Sequence, residues 1–106
     1  MEASEYCLIM TTTDTKENAN AITKVLLEEK LVACVQSTMV KSNYHWEGKI
    51  IESEEIQIQM KSKRSHFKKV QKSIEHLHNY DVPEIIMVPI EDANLSYLQW
   101  LEEETI

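Results

Sequence analysis

The sequence predicts an α+β domain built on a split β-α-β arrangement. Three observations carry that reading. Two short, continuously apolar runs, YCLIMTTT (Tyr6 to Thr13) and PEIIMVPI (Pro83 to Ile90), match strands buried on both faces. Two other stretches place apolar residues at helical spacing. Between them lie two long β-rich arms that meet at Glu47-Gly48, the position of the only glycine in 106 residues. With 42% apolar and 27% charged residues, two prolines and no internal repeat, the chain reads as a single domain over residues 1–106.

Taken in order, the first strand is expected over Tyr6 to Thr13, too short for a helix and rich in β-branched residues. Asp14 with Glu17 three residues on fits a capping box that opens a helix. Ala19, Ile22, Val25 and Leu26 then share one face, with Lys16, Asn20, Lys24 and Glu28 largely outside it, and the helix closes near Lys30. LVACVQSTMVKSNYHW (Leu31 to Trp46) is rich in Val, Thr, Tyr and Trp, and KIIESEEIQIQMK (Lys49 to Lys61) alternates cleanly from Ile56 to Met60. So tight a reversal between such strands calls for φ above zero, which Gly48 adopts without a Cβ penalty. At about 3.3 Å per residue, arms of this length run on the order of 40 Å, longer than a core of this size requires. Ser62 or Ser65 can cap a second helix with the stripe Phe67, Val70, Ile74 and Leu77, ending by Asn79. The run from Pro83 to Ile90 supplies the last strand, and Asn94 can cap a final helix with Leu95, Leu98 and Leu101 inward.

The order βαββαβ plus a terminal helix describes a ferredoxin-like sandwich, with both main helices on one face of an antiparallel sheet. Its strand order is four, one, three, two, which sets Cys7 and Cys34 two strands apart and out of disulfide reach. Neither cysteine has CxxC spacing, and both sit among apolar residues as buried inert thiols do. Tyr6 to Met10 and Ile85 to Ile90 are apolar at both parities, so the helix-free face also needs cover. Self-association is the simplest cover.

The 18 acidic against 11 basic residues give a net charge of −7, which disfavours a nucleic-acid or anionic-membrane partner and suits cations. No apolar run approaches the roughly 18 residues of a spanning helix. The N-terminal MEASEYCLIM carries acidic residues where a signal peptide carries basic ones, so the expected compartment is cytoplasmic. A nucleophile elbow, a glycine-rich phosphate loop, HExxH and paired cysteine motifs are all absent, so the chain is expected not to be an enzyme and to need no organic cofactor.

SNYHWEGKIIESEE, with Ser42, Tyr44, Trp46, Gly48, Lys49, Glu52 and Glu55, resembles the hairpin signature of the CutA family of divalent-cation tolerance proteins. TTTDTKENA resembles that family's first strand-to-helix junction, EEKLVACV its approach to the second strand, HNYDVPEI its entrance to the fourth and YLQWL its last helix. The likeness covers nearly the whole chain, in the right order and spacing. It implies a homotrimer of ferredoxin-like subunits with a PII-like arrangement, sheets inward and hairpin arms wrapped on neighbours. Tyr44, Trp46, Gly48 and, in the last helix, Trp100 are then hairpin and interface residues, since buried aromatics commonly anchor interfaces.

The resemblance further implies binding of divalent cations, copper foremost, near the clefts of the trimer. His78 and Glu84 match the family's candidate metal-associated positions, on either side of Tyr80. Imidazole suits Cu(II) or Zn(II) and a carboxylate compensates charge, yet two ligands are too few, so a neighbour, water or His76 must add more. Where some members carry a cysteine ligand this chain has Met10, a possible soft donor but more often core filler, and Asn79 stands where the family often has proline. Each candidate has a plainer use. His76 and His78 suit the end of a helix, where the dipole favours a cation, and Glu84 can bond loop amides. His45 and His66 are expected at the surface, and Glu52, Glu54 and Glu55 to pair with lysines across the trimer. Two other functions are compatible with the residues: a PII-like sensor of a small ligand or nucleotide, using Lys41, Lys49, Lys61 and Arg64, and a scaffold for another protein.

Overall fold

The computed structural model describes residues 1–106. After a 3-10 turn at Ala3–Glu5 come β1 (Tyr6–Thr13), α1 (Lys16–Glu28), β2 (Val32–Trp46), β3 (Lys49–Lys63), a second 3-10 turn (Arg64–His66), α2 (Phe67–Leu77), β4 (Ile86–Pro89) and α3 (Leu95–Glu104). The four strands form one antiparallel sheet in the order β2-β3-β1-β4, as the element order requires. Both α1 and α2 lie on one face, where Ala19, Ile22, Leu26, Val70 and Ile74 pack against Cys7, Ile9, Ile56, Ile58 and Met60. The periodicity of these apolar positions is the cause: every second residue of β3 and one stripe of each helix find a common core.

Local chemistry sets the ends of the elements. The cap of α1 is Thr15, whose hydroxyl accepts from the Asn18 amide at 3.1 Å, rather than Asp14, whose carboxylate is drawn instead to Asn79. At its other end, Leu31 N–H bonds the Leu26 carbonyl and Lys30 N–H the Leu27 carbonyl, a Schellman closure that holds Lys30 at φ +57°. Neither Ser62 nor Ser65 caps α2. Ser62 points into the core side of β3 and donates to the Leu31 carbonyl, and the chain enters α2 through the 3-10 turn instead. His66 in that turn is buried rather than at the surface, its Nδ1 3.3 Å from the same carbonyl.

The hairpin reverses in two residues, Trp46 pairing with Lys49. Both central residues have positive φ, Glu47 at 50° and Gly48 at 76°, the sense of a type I′ turn that matches strand twist. Beyond the last β1–β3 pair, Thr13 with Ile56, β2 and β3 continue alone as a two-stranded arm, and the molecule measures 45 Å along its long axis. A bulge at Ala33 shifts the register between Val32 and Cys34. It leaves Cys34 paired with Lys61 on the face opposite Cys7, and both thiols are free.

The helix-free face is covered at one end only. There α3 buries Leu98 and Leu101 against Tyr6, but Leu95 points outward at 65% exposure, because the helix meets the sheet through a narrow stripe. The strand read as buried from Pro83 to Ile90 is shorter, Ile86–Pro89, and lies at the sheet edge with Ile86 and Val88 exposed at 44% and 40%.

Candidate functional site

Past α2 the chain turns back over the helix-free face, and buried polar groups decide where it goes. His78 leaves the helix with extended backbone, φ −69° and ψ 142°. Its Nδ1 accepts from the Tyr80 amide at 3.0 Å, so Nε2 carries the proton and donates to the Thr12 carbonyl at 2.8 Å. Asn18 reaches over from α1: its Nδ2 donates to the Leu77 carbonyl at 2.9 Å, and its Oδ1 accepts from the Asn79 amide at 3.2 Å and from the Thr13 hydroxyl. Asn79 Nδ2 donates to Asp14 at 2.8 Å, and that bond holds the Asp14 carboxyl below its ordinary range. The loop is thereby stapled to the β1–α1 junction. The Tyr80 ring stacks obliquely on His78 at 4.9 Å, and its hydroxyl donates to Glu55 Oε2 at 2.7 Å. Burial first, and the Glu55 carboxylate second, push the Tyr80 phenol well above its usual value, so it stays a donor.

Between this loop and the hairpin arm opens a cleft of about 760 Å³, its lining running along β2 from Val40 to Trp46. Tyr44 and Trp46 of β2, Glu55 and Gln57 of β3, and Tyr80, Asp81 and Glu84 of the loop line it. Three lining residues are acidic and none is lysine or arginine, so the local field favours a cation. Glu55 is 6% exposed, whereas Glu84 is exposed at the mouth.

The candidate residues therefore separate. Glu84, Tyr44 and Trp46 share the cleft; His78 stands behind it with both ring nitrogens bonded, holding the loop in place. No group of three or more His, Cys, Asp or Glu side chains in this chain is placed to hold a metal ion. Met10 lies across from Ile86 and Gln59, and His76 is exposed in the last turn of α2. Gly48 sits at the arm's tip, and Trp100 stacks on Tyr97 at 5.5 Å while remaining 39% exposed. Sequence reasoning missed Asn18 and the Glu55–Tyr80 pair. Asn18 follows a capping threonine, and such a polar residue beside Ala19 on the buried stripe was the one available sign of it. A second opening, about 510 Å³ beside Tyr6, Lys63 and Arg64, is occupied by its own pairing: Lys63 binds Glu102 at 2.8 Å and the Tyr6 hydroxyl donates to Glu102 at 2.7 Å.

Fold and cleft together define a class: ferredoxin-like α+β proteins with an extended hairpin arm, a sheet face left partly bare and an acidic cleft along the arm. The family follows from comparison with known proteins. Residues 7–104 match the model of the CutA1 divalent ion tolerance protein family, and the chain belongs to that family. It is 39% identical over 98 residues to the divalent-cation tolerance protein CutA of Pyrococcus horikoshii, an alignment covering 92% of this chain and 96% of that one. The CutA protein of Thermus thermophilus is 37% identical over 99 residues, covering 92% and 96%. The solved structure of that Thermus thermophilus protein superposes with a TM-score of 0.91 at 36% identity, over 95% of this chain and 99% of the other.

Proposed function

We propose that this chain serves divalent-cation tolerance by binding a divalent cation, copper foremost, in a homotrimer whose subunit boundaries run past the acidic cleft. The observation that carries the reading is the cleft itself: Asp81 and Glu84 stand exposed at its mouth with no cationic residue in the lining. One chain's donors do not close a metal site, so the proposal places the remaining ligands on a neighbouring subunit. Support for the assembly comes from Ile86 and Val88, exposed on the edge strand, and from the arm, since a two-stranded ribbon is marginal in water without cover. In this reading Glu84 contacts the ion. His78 positions the loop, and becomes a ligand only if the metal displaces the Tyr80 amide from Nδ1. A nucleotide finds no support in the cleft, whose lining has neither lysine nor arginine; Lys41 pairs with Glu52, and Lys61 with Gln36.

The test is calorimetric titration with Cu(II) of the wild type and Glu84→Gln, with molar mass by light scattering. Saturable binding weakened about tenfold or more by the substitution, in a particle of three chains, is the expected result. Equal copper affinity in the two proteins would remove Glu84 from the site, and a monomeric mass would remove the trimer.

A further inference from the structure

Resting on the metal reading above, we propose that Asn18 is a positioning residue for the loop that carries Glu84, and that it sets the affinity for the cation from outside the cleft. Asn18 lies on the apolar stripe of α1 at 7% exposure and takes no part in the cleft lining. A polar side chain so placed is costly unless it is bonded. Two of its three bonds reach across to the end of α2: Nδ2 donates to the Leu77 carbonyl at 2.9 Å and Oδ1 accepts from the Asn79 amide at 3.2 Å, while the Thr13 hydroxyl completes the set. The last carbonyls of a helix have no partner within it. One side chain of α1 therefore caps the end of α2 and fixes the direction in which the loop departs.

The chain that follows links Asn18 to the ion. From Asp81 to Ile85 the backbone makes no hydrogen bond, so the place of Glu84 is set by how the two ends of this segment are held. Downstream the sheet holds it, where Ile86 pairs with Met10. Upstream it is held by the Asn18 bonds, by Asn79 Nδ2 on Asp14 at 2.8 Å and by the Tyr80 hydroxyl on Glu55 at 2.7 Å. Without Asn18, the Leu77 carbonyl and the Asn79 amide lose their common partner and the loop gains other paths away from the helix. Affinity then falls with the fraction of time the competent path is populated, about tenfold for a path held about one tenth of the time. Removal of groups that orient metal ligands has effects of this size, about 10–100-fold. Because the effect acts through Glu84, it disappears once Glu84 no longer contacts the ion.

The experiment titrates the assembled protein with Cu(II) by calorimetry, in a double-mutant cycle of Asn18→Ala and Glu84→Gln. Asn18→Ala should bind copper about tenfold more weakly in the wild-type background and lose less than about threefold in the Glu84→Gln background. Ile22→Val, at the next turn of the same stripe and fully buried, is the stability control: it should lower the urea midpoint and leave copper affinity unchanged. Should Asn18→Ala not fold, Asn79→Ala takes its place in the cycle. Its side chain is exposed and only the Asp14 bond is lost, so a several-fold weakening that again disappears with Glu84→Gln is expected. Equal losses in the two backgrounds, no loss at all, or a matching loss in Ile22→Val overturns the proposal and leaves the metal site standing. A wild type that binds no copper, or equal affinity in wild type and Glu84→Gln, overturns the metal reading and the role of Asn18 with it.

Discussion

Replacing His78 by alanine separates a structural histidine from a ligand. The substitution removes two hydrogen bonds, Nε2–H to the Thr12 carbonyl at 2.8 Å and the Tyr80 amide to Nδ1 at 3.0 Å. A net bond contributes about 0.5–1.5 kcal/mol, and a partner left unpaired out of water costs about 1–3 kcal/mol. Because the site is half-buried, water re-pairs part of what is lost, and a destabilisation of about 2 kcal/mol is expected. Loss of the His78–Tyr80 ring contact acts in the same direction. The assay is urea unfolding at a fixed protein concentration, because assembly makes the midpoint concentration-dependent. His76→Ala, exposed on the same helix end with no side-chain bond, is the control and should change stability by less than about 0.5 kcal/mol. If His78→Ala matches that control, the two bonds do not hold the loop and the positioning role assigned to His78 is wrong.

Lys30 is held at φ +57° with its backbone amide bonded in the closure of α1, so Lys30→Gly should stabilise the protein by about 0.5–1 kcal/mol, seen as a higher urea midpoint at unchanged slope; no gain would show that the left-handed residue carries no strain. Burial lowers the pKa of His66, so the folded state holds it neutral while the unfolded chain binds a proton below about pH 6.5. Its contribution is whole above that pH and is lost as pH falls toward the lowered folded value; a stability–pH profile that does not flatten there in His66→Asn would refute this.

Much of the fold was legible because local period is enough to state it. The stripes Ala19–Ile22–Leu26 and Val70–Ile74, and the alternation Ile56–Ile58–Met60, each point to one face whatever their partners are, and all are buried together. The reversal at Glu47-Gly48 was legible for the same reason, as turn chemistry is written in adjacent residues. Ends of elements were less so: threonine, aspartate and serine compete as caps within a few residues, and Thr15 prevailed because Asp14 had a better partner in Asn79.

The amino-acid sequence by itself determined the element order, the strand order, the arm and the family. Tertiary structure alone decided the site. Glu55 and Tyr80, Asn18 and Leu77, and His78 and Thr12 are each far apart in the chain, and their meeting depends on register and on the path of one loop. Register is where period stops being a guide. A single extra residue at Ala33 sends Cys34 to the opposite face from Cys7, and a departure of α2 one residue later than His78 would carry Tyr80 away from Glu55. Such choices are made by the sum of buried hydrogen bonds that the folded chain can satisfy at once, a quantity that no local stretch of sequence contains.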